Sequence, residues 1–243
     1  DGERHPLVPV VHELKRYRGD ITIDLDAIPR DAGRHFVDAL LDRECNTLGE
    51  SFRQALFRQT GGHALFAVEL IRAMKERGNL VRDARGCWEE GTSLDWMALP
   101  ARVEGVIEER VARLEDEVVE VLTVASVEGE QFIAEVIAEV QGMRARETVH
   151  LLSTTLGQQH RLVGAQGMIE VGGQRLSAYR FLNILFQQYL YGQLAEAERA
   201  YLHRDVGEVL ERLSGGDTQQ LAGQLARHFE KAGIPDKAAA YLM

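Results

Sequence analysis

The side chains best suited to catalysis or metal binding are histidines, and their spacing does not form a recognisable site. His150, His160, His203 and His228 are scattered through the second half of the chain. No acid or cysteine accompanies them at the spacing that metal sites use, and no GxSxG motif marks a nucleophilic serine. We therefore predict structural or surface histidines rather than ligands or catalytic bases.

The sequence also lacks a phosphate-binding loop. The GxxxxGK[ST] motif needs glycines whose backbone N–H groups surround phosphates and a lysine that reaches them, yet no Gly-Lys pair occurs. ITIDLD (21–26) is the nearest match to a strand that ends in magnesium-binding acids. Without a phosphate partner we interpret it as a short strand that leads into a turn, with Asp31 as a helix cap. We expect no catalysis, and in particular no ATP hydrolysis, by this chain alone.

The two cysteines, Cys45 and Cys87, lie in unrelated contexts and form no CxxC pair. Because cytosolic disulfides are rare, we predict two reduced thiols in a cytoplasmic protein. No stretch reaches the roughly 18 apolar residues of a membrane span, and the start, DGERHPLVPVV, does not resemble a signal peptide. Since the chain opens without Met and ends in AAAYLM, we expect a fragment of a longer protein.

Apolar periodicity predicts a mainly α-helical fold. Helices are expected over 6–18, around 36–41, and over 48–59, 65–77, 101–126 (two nearly end to end), 132–140, 144–160, 184–194, 197–213, 219–229 and 236–242. Strands are expected at 21–25, in a hairpin over 79–90, and as two or three short strands within 161–181. Between 101 and 194, three helices followed by a small β-wing are in the order of a winged-helix domain.

Five stretches together resemble the signal-transducing ATPases with numerous domains (the STAND class, of AAA-type ancestry) of bacterial cyclase-linked and transcription-regulator proteins. They are TGGHALFAVELIRAM (60–74), LPARVEGVIEERVARL (99–114), VLTVASVEGEQF (121–132), YRFLNILFQQYLY (179–191) and LARHFEKAGIPDKAAAYL (225–242). In that family such a segment follows the P-loop domain. The resemblance implies a helical lid region with a short strand and β-hairpin (1–94), a winged-helix domain (95–194), and a linker helix with the first TPR-like helix pair (195–243).

The resemblance also implies tentative nucleotide contacts in the full-length protein. Gly62, His63 and Ala64 stand where the family has Gly-x-Pro, whose proline packs near the adenine. Asn183 stands where the family commonly has a histidine, which touches the nucleotide phosphates in relatives such as plant and animal immune receptors. The alternative at 60–64 is a helix cap followed by a new helix. At Asn183 the alternative is an ordinary N-cap, and we favour that role.

The function implied is a regulatory module that couples nucleotide state to a repeat-based sensor. ATP or ADP with magnesium would bind to the parent protein. The partners would be its P-loop domain, its TPR-like repeats, and other proteins or further copies of the chain. A single TPR-like helix pair cannot bury its own apolar face. We therefore predict that Leu225, Phe229, Ala239 and Tyr241 are partly exposed or dock on a neighbouring molecule.

The alternative function is a winged-helix DNA-binding regulator. A recognition helix over 144–160 would present side chains that could read bases, namely Arg144, Arg146, His150, Gln158 and Gln159, with Arg161 just beyond it. However, the formal net charge is −10, and residues 115–141 contain eight acids and no Lys or Arg. Those acids would face DNA phosphates with the wrong sign. Nucleic acid is therefore disfavoured as a partner.

Overall fold

A computed structural model describes residues 32–215 and 220–242, together with residues 10, 13–14 and 16–17, which are helical. The fold is mainly helical, as predicted, with two small antiparallel sheets. The predicted strand at 21–25 and the cap at Asp31 lie outside the described residues.

The helices are α1 (Ala32–Leu41), α2 (Glu50–Thr60), α3 (Ala64–Glu76), α4 (Ala101–Val111), α5 (Asp116–Glu128), α6 (Ala134–Val140), α7 (Ala145–Ser153), α8 (Ile184–Gln193), α9 (Glu196–Leu213), α10 (Ala222–Lys231) and α11 (Pro235–Ala240). The strands are β1 (Leu80–Arg82), β2 (Trp88–Glu90), β3 (Gln131–Ile133), β4 (Val163–Val171) and β5 (Gln174–Phe181).

The first three helices and the β1–β2 hairpin enclose their own apolar core. Each helix contributes side chains at helical spacing: Val37 from α1, Phe52 and Leu56 from α2, and Leu70 and Met74 from α3 are all buried. The hairpin pairs Leu80 with Glu90 and Arg82 with Trp88, which confirms the predicted turn over 79–90.

Cys45 and Cys87 are joined in a disulfide, so the prediction of two reduced thiols is wrong. They meet because the turn after α1 pairs with the hairpin. The Trp88 N–H donates to the Cys45 carbonyl at 2.8 Å, and the Thr47 N–H donates to the Trp88 carbonyl at 2.8 Å. A pairing across 42 positions depends on this tertiary contact, which no local pattern around either cysteine indicates.

Helices α4 to α8 surround a three-stranded sheet in the order β3-β5-β4. Asp116 and Glu117 in the first turn of α5 complement the positive end of its helix dipole. The structure differs from the sequence expectation in two places. Residues 131–133 form a strand, not the start of a helix, because Phe132 pairs with Tyr179 of β5. The helix predicted over 144–160 continues from α7 into a π-helical turn, Thr154–Gln159.

The C-terminal helices α10 and α11 pack on α9 and share one continuous core with the sheet. Leu225 and Phe229 have no exposed surface, so the prediction that they stay exposed or need a neighbouring molecule is wrong. The physical reason is that the 18-residue α9 supplies the partner face, and the Phe229 ring fits against Gly207. Ala239 is exposed and Tyr241 is half-buried, stacked on Phe229 at 5.8 Å between ring centroids.

Two of the predicted structural histidines link α9 to α10. The Nδ1 atoms of His203 and His228 lie 2.9 Å apart, and Nε2 of His203 lies 2.9 Å from the Tyr191 hydroxyl. Burial, reinforced by the positive charge of Arg227, lowers the pKa of His203 to about 4 and that of His228 to about 3. Both rings are therefore neutral at pH 7 and serve as hydrogen-bonding core residues.

A buried carboxyl at the end of α5 faces the same C-terminal helices. Glu128 is 1% exposed, and its Oε1 accepts a hydrogen bond from the Ile133 N–H at 3.0 Å. Burial raises the pKa of Glu128 to about 8, against the opposing effects of that hydrogen bond and of Arg227. The carboxyl is thus mainly protonated at pH 7, which avoids placing an uncompensated charge in the core.

Reducing the disulfide should destabilise the N-terminal helices selectively. A cross-link over a loop of this length typically contributes about 2–4 kcal/mol, because it restricts the unfolded chain. The two tryptophans, Trp88 and Trp96, both pack against this core, so fluorescence-detected urea unfolding with and without dithiothreitol reports on it. The double variant Cys45→Ser/Cys87→Ser should unfold at the same urea concentration as the reduced protein, and dithiothreitol should not change its unfolding curve. Identical unfolding of oxidised and reduced wild type would contradict the prediction.

Raising the pH from about 6.5 to 8 should destabilise the fold through Glu128. The unfolded carboxyl loses its proton near its usual pKa of 4.5, whereas the folded one keeps it until about 8. The contribution of Glu128 to the free energy of unfolding is therefore fully present below about pH 4.5 and is lost as the pH rises. The loss between pH 6.5 and 8 is roughly 2 kcal/mol. His203 and His228 lose protons from the unfolded chain near their usual pKa of 6.5, which offsets part of this loss equally in wild type and in the variants. Urea unfolding of Glu128→Gln should lose this slope, whereas Glu120→Gln, at an exposed position of the same helix, should keep it.

Candidate functional site

The candidate nucleotide residues predicted at 62–64 and 183 come together where α2, α3 and α8 meet. Helix α2 ends at Thr60, the chain turns through Gly61 and Gly62, and His63 precedes α3. The Asn183 Nδ2 donates to the Thr60 carbonyl at 3.1 Å across 123 positions of sequence. This hydrogen bond joins the N-terminal helices to the start of α8.

Both glycines of the turn are required by backbone geometry. Gly61 ends α2 with a left-handed φ of 58°, and a Cβ there would lie 2.9 Å from the Leu182 carbonyl oxygen. A Cβ on Gly62 would lie 2.7 Å from the Gly33 Cα at the start of α1. The prediction of a helix cap followed by a new helix at 60–64 is therefore confirmed. This turn contacts the backbone at Gly33 and at Leu182.

Asn183 is the N-cap of α8, as we favoured. Its Oδ1 accepts a hydrogen bond from the Leu185 N–H at 2.9 Å. The amide thus uses its acceptor for the cap and its donor for Thr60.

A cavity of about 160 Å³ opens beside this contact. His63 and Asn183 line it together with Arg110 from the last turn of α4 and Arg161, which follows the π-helical turn. Gly62 packs behind the turn against Gly33, and Ala64 forms the exposed first turn of α3; neither lines the cavity. The structure therefore places two of the four predicted residues at the cavity and two in its supporting backbone.

The arginines of this cavity are held in defined positions. Arg110 Nη2 donates to the His160 carbonyl at 2.9 Å, and its guanidinium lies 5.0 Å from the centroid of the Phe186 ring. Arg161 has a φ of 51°, and among the described residues it is the one non-glycine with a positive φ. Such backbone conformations cost energy and concentrate at functional positions.

His63 adds hydrogen-bonding capacity to the cavity without adding charge. Its ring stacks on Phe66 at 4.3 Å between centroids. Partial burial, together with the nearby positive charge of Arg110, lowers the pKa of His63. The neutral imidazole can donate or accept one hydrogen bond at each nitrogen according to its tautomer.

A second cavity of about 380 Å³ lies on the other side of the Gly61–Leu182 contact. Its charged wall consists of Arg58 from α2, Arg180 from β5, and Glu130, which precedes β3. The described lining of the two cavities thus includes four arginines and one glutamate. In a chain with a net charge of −10, this is a marked local concentration of positive charge.

Sequence reasoning missed most of the charged part of this site. Arg58, Arg110 and Arg180 are not among the residues predicted from the sequence, and Arg161 was considered only among the side chains that could read DNA. These arginines come from four separate elements, so only the tertiary fold brings them together. The one usable local signal was Arg180, three positions before Asn183.

The face considered for DNA reading carries both signs of charge. Arg144 pairs with Glu147, and the groove that contains Arg144 and Arg146 also contains Glu115 and Glu117. DNA phosphates approaching this groove would meet these carboxylates together with the arginines. This mixture favours contact with protein or solvent over a polyphosphate backbone.

Comparisons with known proteins do not assign a family. No protein-family model, curated protein sequence or solved structure matches the chain. None of the described helices is both long and apolar enough to cross a membrane. In the part of the chain that the structure describes, no cluster of three or more His, Cys, Asp or Glu side chains could hold a metal ion.

Replacing Asn183 should loosen the junction measurably. Asn183→Ala removes both the cap and the hydrogen bond to Thr60, so we expect a loss of about 1–2 kcal/mol in the free energy of unfolding. Asn183→Ser retains a capping oxygen and should lose less than the alanine variant. Urea unfolding followed by circular dichroism measures both variants. An alanine variant as stable as wild type would show that the junction does not depend on this side chain.

Proposed function

We propose that this chain is the regulatory and interaction portion of a multidomain STAND-type ATPase, and that the phosphates of a nucleotide lie at the junction of α2, α3 and α8. The observation that carries the proposal is the arginine-lined cavity at that junction. The family resemblance implicates residues 62–64 and 183 in nucleotide contact, and His63 and Asn183 of this set line the cavity. Arg110 and Arg161 supply the positive charge that phosphate groups require.

The order of elements supports a winged helix in the middle of the chain. From 116 to 193 the order is helix, strand, helix, helix, two-stranded hairpin and helix, and β5 lies between β3 and β4. The pair α10–α11, packed on α9, supports the start of a TPR-like array. On this proposal, α1 to α3 with the hairpin form the lid.

The chain's own residues would bind and report on nucleotide rather than hydrolyse it. Arg110 and Arg161 would neutralise phosphate charge, and His63 could form a hydrogen bond to the ligand. The Asn183–Thr60 bond would transmit the position of α8 to the turn that begins α3. Glu130 is the single acid among the described lining residues, which does not suit a magnesium site. Magnesium and the attacking water would therefore belong to a P-loop domain elsewhere in the parent protein.

We propose a cytoplasmic location because ATP is abundant there. Disulfides such as Cys45–Cys87 are rare in that compartment, so this location rests on the proposed nucleotide alone. The proposed partners remain the P-loop domain, TPR-like repeats, and other proteins or further copies of the chain. DNA is not proposed, because acids share the groove of Arg144 and Arg146. Salt-sensitive binding to duplex DNA in a gel shift would contradict this assignment.

The decisive experiment is a titration of the ¹⁵N-labelled chain with ADP and ATP. We expect saturable shifts of the Gly61, His63 and Asn183 amides and no release of phosphate. Arg110→Gln should weaken binding by about tenfold or more, since a charge-assisted hydrogen bond contributes about 1.5–3 kcal/mol. Arg146→Gln is the matched control, because it removes the same charge at an exposed position outside the cavity. Absence of binding, or equal weakening by both variants, would overturn the proposal.

A further inference from the structure

We propose that the cavity beside Arg180 is a second, separate oxyanion site, which takes a phosphoryl dianion between Arg180 and Arg58 and thereby displaces Glu130 from Arg58. This cavity lies across the Gly61–Leu182 contact from the first one. Its occupation rests on its own residues, so it can be tested whether or not nucleotide binds at Arg110.

The first supporting observation is the state of Arg180. Its Nε is buried and has no hydrogen-bond partner among the described residues. Buried polar atoms are nearly always hydrogen-bonded, and leaving a charged donor unsatisfied is costly. Arg180 also lines the cavity directly. Because this Nε has almost no accessible surface, the Arg180 side chain would have to turn toward the cavity for an anion there to supply the missing acceptor.

The second observation is the ion pair opposite Arg180. Arg58 Nε donates to Glu130 Oε2 at 3.2 Å, and its Nη2 contacts the same oxygen. The Arg58 side chain is 70% exposed, whereas that of Glu130 is 24% exposed. The guanidinium can therefore turn toward an incoming ligand while the carboxylate stays in place. Exposed pairs of this kind are weak enough to be exchanged.

The number of positive charges offered to the ligand selects the class of anion. Once Glu130 is displaced from Arg58, the guanidiniums of Arg58 and Arg180 present two positive charges. A single carboxylate would only duplicate what Glu130 already offers to Arg58. A phosphoryl group carries close to two negative charges at neutral pH and can accept paired hydrogen bonds from a guanidinium. It can therefore compete with Glu130 and satisfy Arg180 at the same time.

The consequence of binding would be regulatory. The Arg58–Glu130 pair ties α2 to the start of β3 across 72 positions of sequence. Displacing Glu130 would remove one connection between the N-terminal helices and the sheet, while the Asn183–Thr60 bond remains. The cavity would thus couple phosphoryl binding to the strength of contact between these two parts.

The test uses the ¹⁵N-labelled chain and two probes, inorganic phosphate and ADP, with the Arg180 Nε–H and the Phe181 amide as reporters. We expect a saturable shift of the Arg180 Nε–H. A response to phosphate alone identifies a free oxyanion as a sufficient ligand. A response to ADP alone identifies a nucleotide phosphate as the source. No response of the Arg180 Nε–H to either probe would overturn the proposal.

Variants separate this site from the first cavity. Arg180→Gln and Arg58→Gln should each weaken phosphate binding, read from the Phe181 amide, which lines this cavity and not the first, by about tenfold for Arg180 and less for Arg58. Glu130→Gln should tighten binding by about two- to fivefold, because it removes the competing carboxylate. Arg110→Gln should leave phosphate binding at Arg180 unchanged. Circular dichroism identifies any variant that fails to fold. If Arg180→Gln does not fold, the test uses Arg58→Gln, because the Arg58 side chain is exposed.

The two proposals can fail independently. Loss of ADP binding with an intact phosphate response at Arg180 would reject the nucleotide proposal alone. Normal, Arg110-dependent ADP binding with unchanged phosphate affinity in both Arg180→Gln and Arg58→Gln would reject the second site alone. A Glu130→Gln variant that binds phosphate more weakly than wild type would contradict the displacement of Glu130.

Discussion

The close approach of two backbone segments, Gly61 to Leu182 and Thr60 to Asn183, is the constraint on which the candidate site depends. There is no room for a side chain at Gly61, and the Asn183 amide supplies both a cap and a cross-link. Because the two segments touch, the space on either side of them becomes two cavities rather than one open groove. The arginines of four different elements then face one or the other of these spaces.

The junction differs from the rest of the chain in the sign of its charge. The chain as a whole is acidic, and acids dominate residues 115–141, yet the described walls of the two cavities carry mainly arginine. Arginine remains charged under all physiological conditions and forms paired hydrogen bonds. By contrast, partial burial and the nearby charge of Arg110 lower the pKa of His63, and burial keeps Glu128, His203 and His228 mainly neutral at pH 7. The core groups are thus neutral, and positive charge is concentrated at the two cavities, where an anion could bind.

Local patterns predicted the elements well, because periodicity and turn glycines act within a few residues. The hairpin at 79–90, the cap at Gly61 and the N-cap at Asn183 all depend on near neighbours. What could not be predicted depends on distant ones. The strand at 131–133 exists because β5 lies beside it, the disulfide because a turn docks on a hairpin, and the buried state of Phe229 because α9 supplies a face. For the same reason, the arginine cluster was invisible in the sequence, although two of its neighbours, His63 and Asn183, were identified.

The continuous core that joins the sheet to α10 and α11 has a consequence for modularity. Phe229 and Leu225 belong to the same buried cluster as Phe132 and Leu152. A recombination event or an engineered cut at about residue 195, between α8 and α9, would therefore divide a single hydrophobic interior. Helices α10 and α11 could not be exchanged as an independent unit without redesigning α9, whose face they cover.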